Sequence, residues 1–326
     1  MKRREFIALL LGAAAAWPLV ARAQQATSPV IGFIGVTSHD EWRDYVAAFH
    51  RGLNDTGYVE GRNVTMEYRW AEGHYDRLPA MASDLVDRKA DVIVAVAPPA
   101  ALAAKAATRT IPIVFFMGSD PVELGLVASL SRPGGNVTGV TALANAVSAK
   151  RLQMLREVVP AAATNAMLVN PTNQNANRDV NEMQAAAATL GQPLTVAKAS
   201  TDADIDAEFA AFPQQSVGAL VVNPDPFLLG RRARIAELAT RCRVATIFHT
   251  HEPVEAGGLM SYGASFVDAH RQVGVYTGRI LKGERPADLP IPRSTKFHLA
   301  INLRSAKALG LAIPATLLAQ ADEVIE

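Results

Sequence analysis

The chain has 326 residues, 49% hydrophobic and 19% charged, with 32 Lys and Arg set against 31 Asp and Glu for a formal net charge of +1. That balance, which becomes −2 without residues 1–23, argues against nucleic acid as a partner, since nucleic acid would favour a basic stripe. The single cysteine, Cys242, excludes an intramolecular disulfide, so stability rests on packing.

Residues 1–23 read as an export address. Lys2, Arg3 and Arg4 open it, Phe6 to Val20 is an uncharged Ala/Leu-rich run, and Ala21-Arg22-Ala23 offers a small-x-small cleavage site. The run is shorter than the roughly 20 residues of a membrane-spanning helix, and Pro18 closes it. Arg3-Arg4 before Glu5-Phe6-Ile7 suits either a twin-arginine signal or an ordinary secretory one. No cysteine follows to carry a lipid, so the expected location is the periplasm. The remaining 303 residues carry a net charge of −2 and exceed one ordinary domain, which points to two lobes.

Beyond the address, β-branched runs alternate with amphipathic segments, the pattern of parallel sheets covered on both faces by helices. The first series of strands is Val30 to Gly35, Val64 to Tyr68, Val92 to Val96, Ile113 to Phe116 and Val137 to Val140. Trp42, Tyr45, Val46, Phe49 and Leu53 recur at helical spacing, with Asp40 as N-cap and Gly57 as stop. After a helix over Ala146 to Val159, a second five-stranded series follows: Ala166 to Val169, Leu194 to Ala197, Ala219 to Val222, Ala245 to Phe248 and Leu259 to Ser261.

The tail breaks this alternation. Phe266, Val273, Tyr276, Ile280 and Leu281 mark a long helix expected to pack on the first lobe. Pro286 to Pro292 reads as extended, and Phe297 to Ile301 as a strand returning to the second lobe. The chain would pass between lobes three times, forming a hinge. The expected lobes are residues 28–141 with 264–283, and 142–263 with 293–326.

In open parallel sheets, ligands lie beyond the carboxyl ends of the strands. That rule selects Thr37, Ser38, Pro98, Pro99, Ser119, Asp120 and Thr141 in the first lobe. In the second it selects Asn170 to Asn175, Asn223 to Phe227, His249 to Glu252, and Tyr262. Asp120, before Pro121, reads either as the N-cap of a following helix or as a partner for a ligand ammonium. Asp225 reads as a turn residue or a second acid of the site. Phe227 either stacks on an aromatic ligand or plugs the start of its helix. His249-Thr250-His251-Glu252 has metal-ligand residue types but no nameable third ligand, and is read as a cleft-mouth loop. Nucleophile elbows, phosphate loops and dinucleotide fingerprints are missing, so no catalysis, metal or cofactor is expected.

Several segments resemble a large family of ABC-transporter substrate-binding proteins. They include Gly57-Tyr58-Val59-Glu60-Gly61, Tyr68-Arg69-Trp70-Ala71-Glu72-Gly73, Ser119-Asp120-Pro121-Val122 and Arg132-Pro133-Gly134-Gly135-Asn136-Val137-Thr138-Gly139. Gly257-Gly258-Leu259-Met260-Ser261-Tyr262-Gly263 and Leu281-Lys282-Gly283-Glu284-Arg285-Pro286 extend the resemblance over essentially the whole chain. The family is similar to tryptophan and other aromatic-amino-acid binding proteins of the type I periplasmic fold. The resemblance implies two Rossmann-like lobes that close on a small ligand, an aromatic amino acid or a related compound, and deliver it to an inner-membrane permease. The expected contacts are Thr37, Ser38, Ser119, Asp120 and Thr141 from one lobe, and Asn170, Asp225, Phe227, Glu252 and Tyr262 from the other. The chain is expected to act as a monomer. Alternative classes are a ligand-sensing module for a membrane receptor, or a hydrolase using His249 or His251 as base beside Asp225.

Overall fold

The computed structural model describes residues 28–160, 164–293 and 297–326, and the expected export segment lies outside them. The first lobe comprises β1 (Val30–Gly35), α1 (Arg43–Asp55), β2 (Thr65–Trp70), α2 (Leu78–Asp87), β3 (Val92–Val96), α3 (Pro98–Ala107), β4 (Ile113–Met117) and β5 (Val137–Thr141). Its strands form one parallel sheet in the order β2-β1-β3-β4-β5. Both faces are buried, so every position of β3 is apolar. Val92, Val94 and Val96 enter one core with Phe33 and Phe49, while Ile93 and Ala95 enter another with Leu85 and Phe115.

Two local expectations are corrected. Asp40 does not cap α1; Trp42 holds the N-cap position, and exposed Asp40 pairs with Arg43 at 3.0 Å. No helix follows Pro121 either. Asp120 Oδ1 accepts from Val122 N at 2.8 Å, Leu126 N donates to Pro121 O, and Gly125 at φ +66° turns the chain away. The donors of a nascent helix are thereby spent on turns.

The second lobe follows α4 (Ser148–Val158). It contains β6 (Thr164–Val169), α5 (Ala176–Thr189), β7 (Leu194–Lys198), α6 (Asp202–Ala211), β8 (Val217–Val222), α7 (Pro226–Gly230), α8 (Arg232–Cys242), β9 (Ala245–Phe248), α9 (Glu252–Glu255) and β10 (Met260–Gly263). The chain then runs through α10 (Phe266–Leu281), β11 (His298–Asn302), α11 (Leu303–Leu309), α12 (Ala315–Leu318) and β12 (Glu323–Ile325). This sheet has seven strands, in the order β12-β11-β10-β9-β8-β6-β7: the expected series of five, the expected returning strand β11, and β12, which was not expected. β11 pairs antiparallel with β10, and β12 lies parallel beside β11 at the edge.

Helix α10 packs on α1 and on β3, β4 and β5. Gly52 and Gly274 permit the close approach: a Cβ on Gly52 would lie 1.8 Å from Arg271 O, and one on Gly274 2.1 Å from Phe49 O. The chain returns to the second lobe past the first sheet. Tyr276 Oη donates to Pro290 O at 2.6 Å, Thr138 Oγ1 to Leu289 O at 2.7 Å, and Thr141 bridges Arg293. Pro286–Asp288 is a 3₁₀ turn, so the extended path expected from Pro286 begins only after it. Among the described residues no helix is long and apolar enough to cross a membrane.

Candidate ligand-binding site

The loops after β3 and β4 meet those after β6, β8 and β9 around a cavity of about 440 Å³, its open mouth included. Trp42, Val96, Pro98, Phe116, Leu229 and Phe266 make most of the wall apolar. Ser119, Asn173, Asn175, Asp225 and His249 supply the polar side chains. Such a wall holds an apolar body and fixes its orientation through a few polar contacts.

Asp225 is the ionisable centre of this wall. Pro226 opens α7, and Asp225 caps it, with Oδ1 accepting from Leu228 N at 3.1 Å. Asn173 Nδ2 donates to Oδ2 at 2.8 Å, and Asn170 Nδ2 lies 3.3 Å from Oδ1. Tyr75 Oη reaches over from the first lobe at 3.5 Å. The side chain is buried, and burial pushes its pKa above the usual carboxylate value while the Asn173 and Leu228 donors pull it down. These partners are all neutral donors. They suit a carboxylate yet leave its charge without a cation.

The loop after β6 orients these amides. Asn170 Oδ1 accepts from Thr172 N and Oγ1, and Asn173 Oδ1 accepts from Asn175 N. Asn175 Nδ2 in turn donates to Ser119 Oγ across the cleft, at 2.9 Å. Elsewhere on the wall, Trp42 Nε1 donates to His270 Nε2 at 3.2 Å. An indole N–H can only donate, so His270 carries its proton on Nδ1 and donates it to Phe266 O at 2.7 Å. Burial lowers the His270 pKa to about 4, which keeps this tautomer neutral. His249, packed on Phe266, is held down to about 3 by burial and by the charge of Arg151, and its buried Nδ1 has no partner.

Of the sequence-selected residues, Pro98, Ser119, Asn173, Asn175, Pro224, Asp225, Pro226 and His249 line the cavity, and Asn170 stands behind Asp225. Thr141 is buried behind the wall, its hydroxyl donating to Ser119 O at 2.8 Å. Thr37 is buried away from the cavity, and Ser38 exchanges hydrogen bonds with Glu41. Asp120 borders an adjoining pocket with Glu123, Asn175 and Arg178. Phe227 joins the second-lobe core, with the Arg231 guanidinium 4.7 Å from its ring centre, which is the plugging arrangement. Tyr262 points to the opposite face of β10 from Ser261 and Gly263 and stacks on Phe297 at 5.8 Å. Glu252 lines a separate groove with His251, Ser261 and Asp322. Among the described residues no cluster of three or more His, Cys, Asp or Glu could hold a metal ion.

Sequence reasoning missed Trp42, Phe116, Leu229 and Phe266 as wall residues, because an apolar residue facing a cavity and one facing a core look alike in a periodic pattern. The indole of Trp42 was the available signal: its N–H needs an acceptor wherever it is buried.

The chain matches the family described as ABC transporter substrate binding protein over residues 30–325. A tyrosine-binding protein of Clostridioides difficile is 25% identical over 281 residues, covering 86% of this chain and 81% of that protein. The ABC domain in complex with L-Trp from Streptococcus pneumonia is 25% identical with a TM-score of 0.81, covering 92% of this chain and 100% of that one. The ligand-free, open structure of a substrate binding protein with adhesive properties from Clostridium difficile is also 25% identical, with a TM-score of 0.64 over 91% of this chain and 99% of that one. With its two sheet-centred lobes of the type I periplasmic binding fold, the chain belongs to the ABC transporter substrate-binding protein family.

Proposed function

We propose that this chain captures a small molecule bearing an ammonium group and an apolar, aromatic-sized body, and delivers it to an ABC permease from the periplasm. The observation that carries the reading is Asp225, a buried carboxylate on the cavity wall whose hydrogen-bond partners are all neutral. An ammonium there would supply the missing counter-charge. The apolar residues around it suit a ring, in keeping with relatives that bind tyrosine and tryptophan.

Residues 28–141 with 264–283 would move as one body, and 142–263 with 293–326 as the other. The lobes touch across the cleft through Asn175 and Ser119, and through Arg231 and Glu41 at 2.6 Å. At equal identity and nearly equal coverage, the higher TM-score with the Trp-bound relative than with the open one supports a closed arrangement. A ligand touching both walls favours this state by its better contacts there.

Trp42 offers the test, because it lies on the wall while Trp70 lies elsewhere. Titrating the exported chain with aromatic amino acids and aromatic amines should give a saturable fluorescence change, lost in Trp42→Phe while calorimetry still detects binding. Binding confined to compounds without an ammonium group would overturn the reading.

A further inference from the structure

Resting on that ammonium reading and extending it to the other end of the ligand, we propose that His249 is a specificity-determining residue that hydrogen-bonds a hydroxyl group on the ligand's aromatic ring. The first ground is place. His249 directly follows β9, the neighbour in the sheet of β8, whose own tip leads to Asp225. Its ring centre lies 5.4 Å from that of Phe266, and Phe266 lies 4.7 Å from Phe116. Both phenylalanines line the cavity together with Trp42. His249 is therefore a polar side chain set in the aromatic part of the wall, where the ligand's ring would lie.

The second ground is isolation. Ser119, Asn175, Asn173 and Asp225 are joined in one run of hydrogen bonds along the polar part of the wall. His249 Nδ1 stands outside it, buried and without a partner. A polar atom taken from water and left unpaired is costly, so a ligand that supplies its partner gains where one that merely covers the imidazole does not. The third ground is chemistry. Burial and the charge of Arg151 hold the His249 pKa at about 3, so at neutral pH the ring is uncharged, with one N–H and one bare nitrogen. A hydroxyl both donates and accepts, and so pairs with Nδ1 in either tautomer. A ring C–H in the same place pairs with neither.

Isothermal titration of the exported chain with matched pairs tests this: tyrosine against phenylalanine, and tyramine against 2-phenylethylamine. The hydroxyl-bearing member of each pair should bind at least about tenfold more tightly, because the other leaves Nδ1 unpaired. His249→Phe keeps a ring against Phe266 but removes both nitrogens, and should bring each pair to within about threefold, mainly by weakening the hydroxyl-bearing member. His249→Asn keeps a polar atom on Cγ, where Nδ1 is attached, and should retain part of the preference. A packing role alone would weaken both members of a pair alike. No preference in the wild type, or a preference undiminished in His249→Phe, would overturn the inference and leave the ammonium reading standing. No binding of any of the four compounds would overturn both.

Discussion

Asn175 Nδ2 donates to Ser119 Oγ at 2.9 Å, tying the loop after β6 in one lobe to the tip of β4 in the other. Both side chains are buried, and Asn175 is held in turn through its backbone N–H by Asn173, which also donates to Asp225. The acid that would receive the ligand is thus linked through two amides to the opposite wall. Asn175→Ala removes a contact that belongs to the closed arrangement. A buried hydrogen bond contributes about 1 kcal/mol, so ligand affinity should fall roughly fivefold to tenfold by calorimetry. The melting temperature of the ligand-free protein should change little, because each lobe has its own cores.

Acid should destabilise the fold through its buried histidines. His249 and His270 have folded pKa values of about 3 and about 4, below the ordinary 6.5. Unfolding therefore takes up protons below pH 6.5, and the stability present above that value is lost as the pH falls toward 4. Each histidine adds about 1.4 kcal/mol per pH unit to the slope within this window. Urea unfolding between pH 7 and pH 4.5 should show the fall. His270→Gln, whose side-chain oxygen can still accept from Trp42 Nε1, should flatten it by about one histidine's share.

The contact between α1 and α10 leaves no room for a side chain at Gly52, where a Cβ would meet backbone rather than a movable side-chain end. Gly52→Val should cost at least about 2 kcal/mol, since the helices must separate and uncover apolar surface. Chemical denaturation measures this directly. Gly61→Val, at a glycine whose added Cβ would meet nothing within 4 Å, should cost less and only through its φ of +76°.

The central strands of both lobes were legible because they are buried on two faces and so read as unbroken apolar runs, as in Val92–Val96. β12 was not, because three residues at a sheet edge, two of them exposed, carry no periodicity. Asp225 and Ser119 were legible from the rule that ligands lie at strand tips. The same rule selected Thr141 and Tyr262, which occupy strand ends yet point elsewhere. A shift of one position along a strand reverses a side chain's face, and the sequence alone does not say which face the cleft takes. Helix capping at Asp120 failed for a different reason: local hydrogen bonds closed a turn before any helix formed.

Asp225 should also set the pH dependence of binding. Its pKa in the folded chain is raised, so the ligand-free fold loses stability as pH rises from the ordinary Asp range through that raised value. An ammonium needs the ionised form, so affinity should weaken as the pH falls through the same value. Asp225→Asn can still cap α7 through its oxygen while its amide nitrogen meets the Asn173 donor, so it should lose both effects at a cost of about 1 kcal/mol in ligand-free stability.

The most direct measurement is a thermal-shift comparison of the wild-type exported chain and Asp225→Asn against one panel of aromatic amines, amino acids and amine-free aromatic acids. A ligand at about one hundred times its Kd should add about 2.7 kcal/mol to stability, enough for a clear rise in Tm. The account expects that rise for ammonium-bearing compounds in the wild type and its loss in Asp225→Asn. Equal rises in the two proteins, or rises given only by amine-free acids, would contradict it.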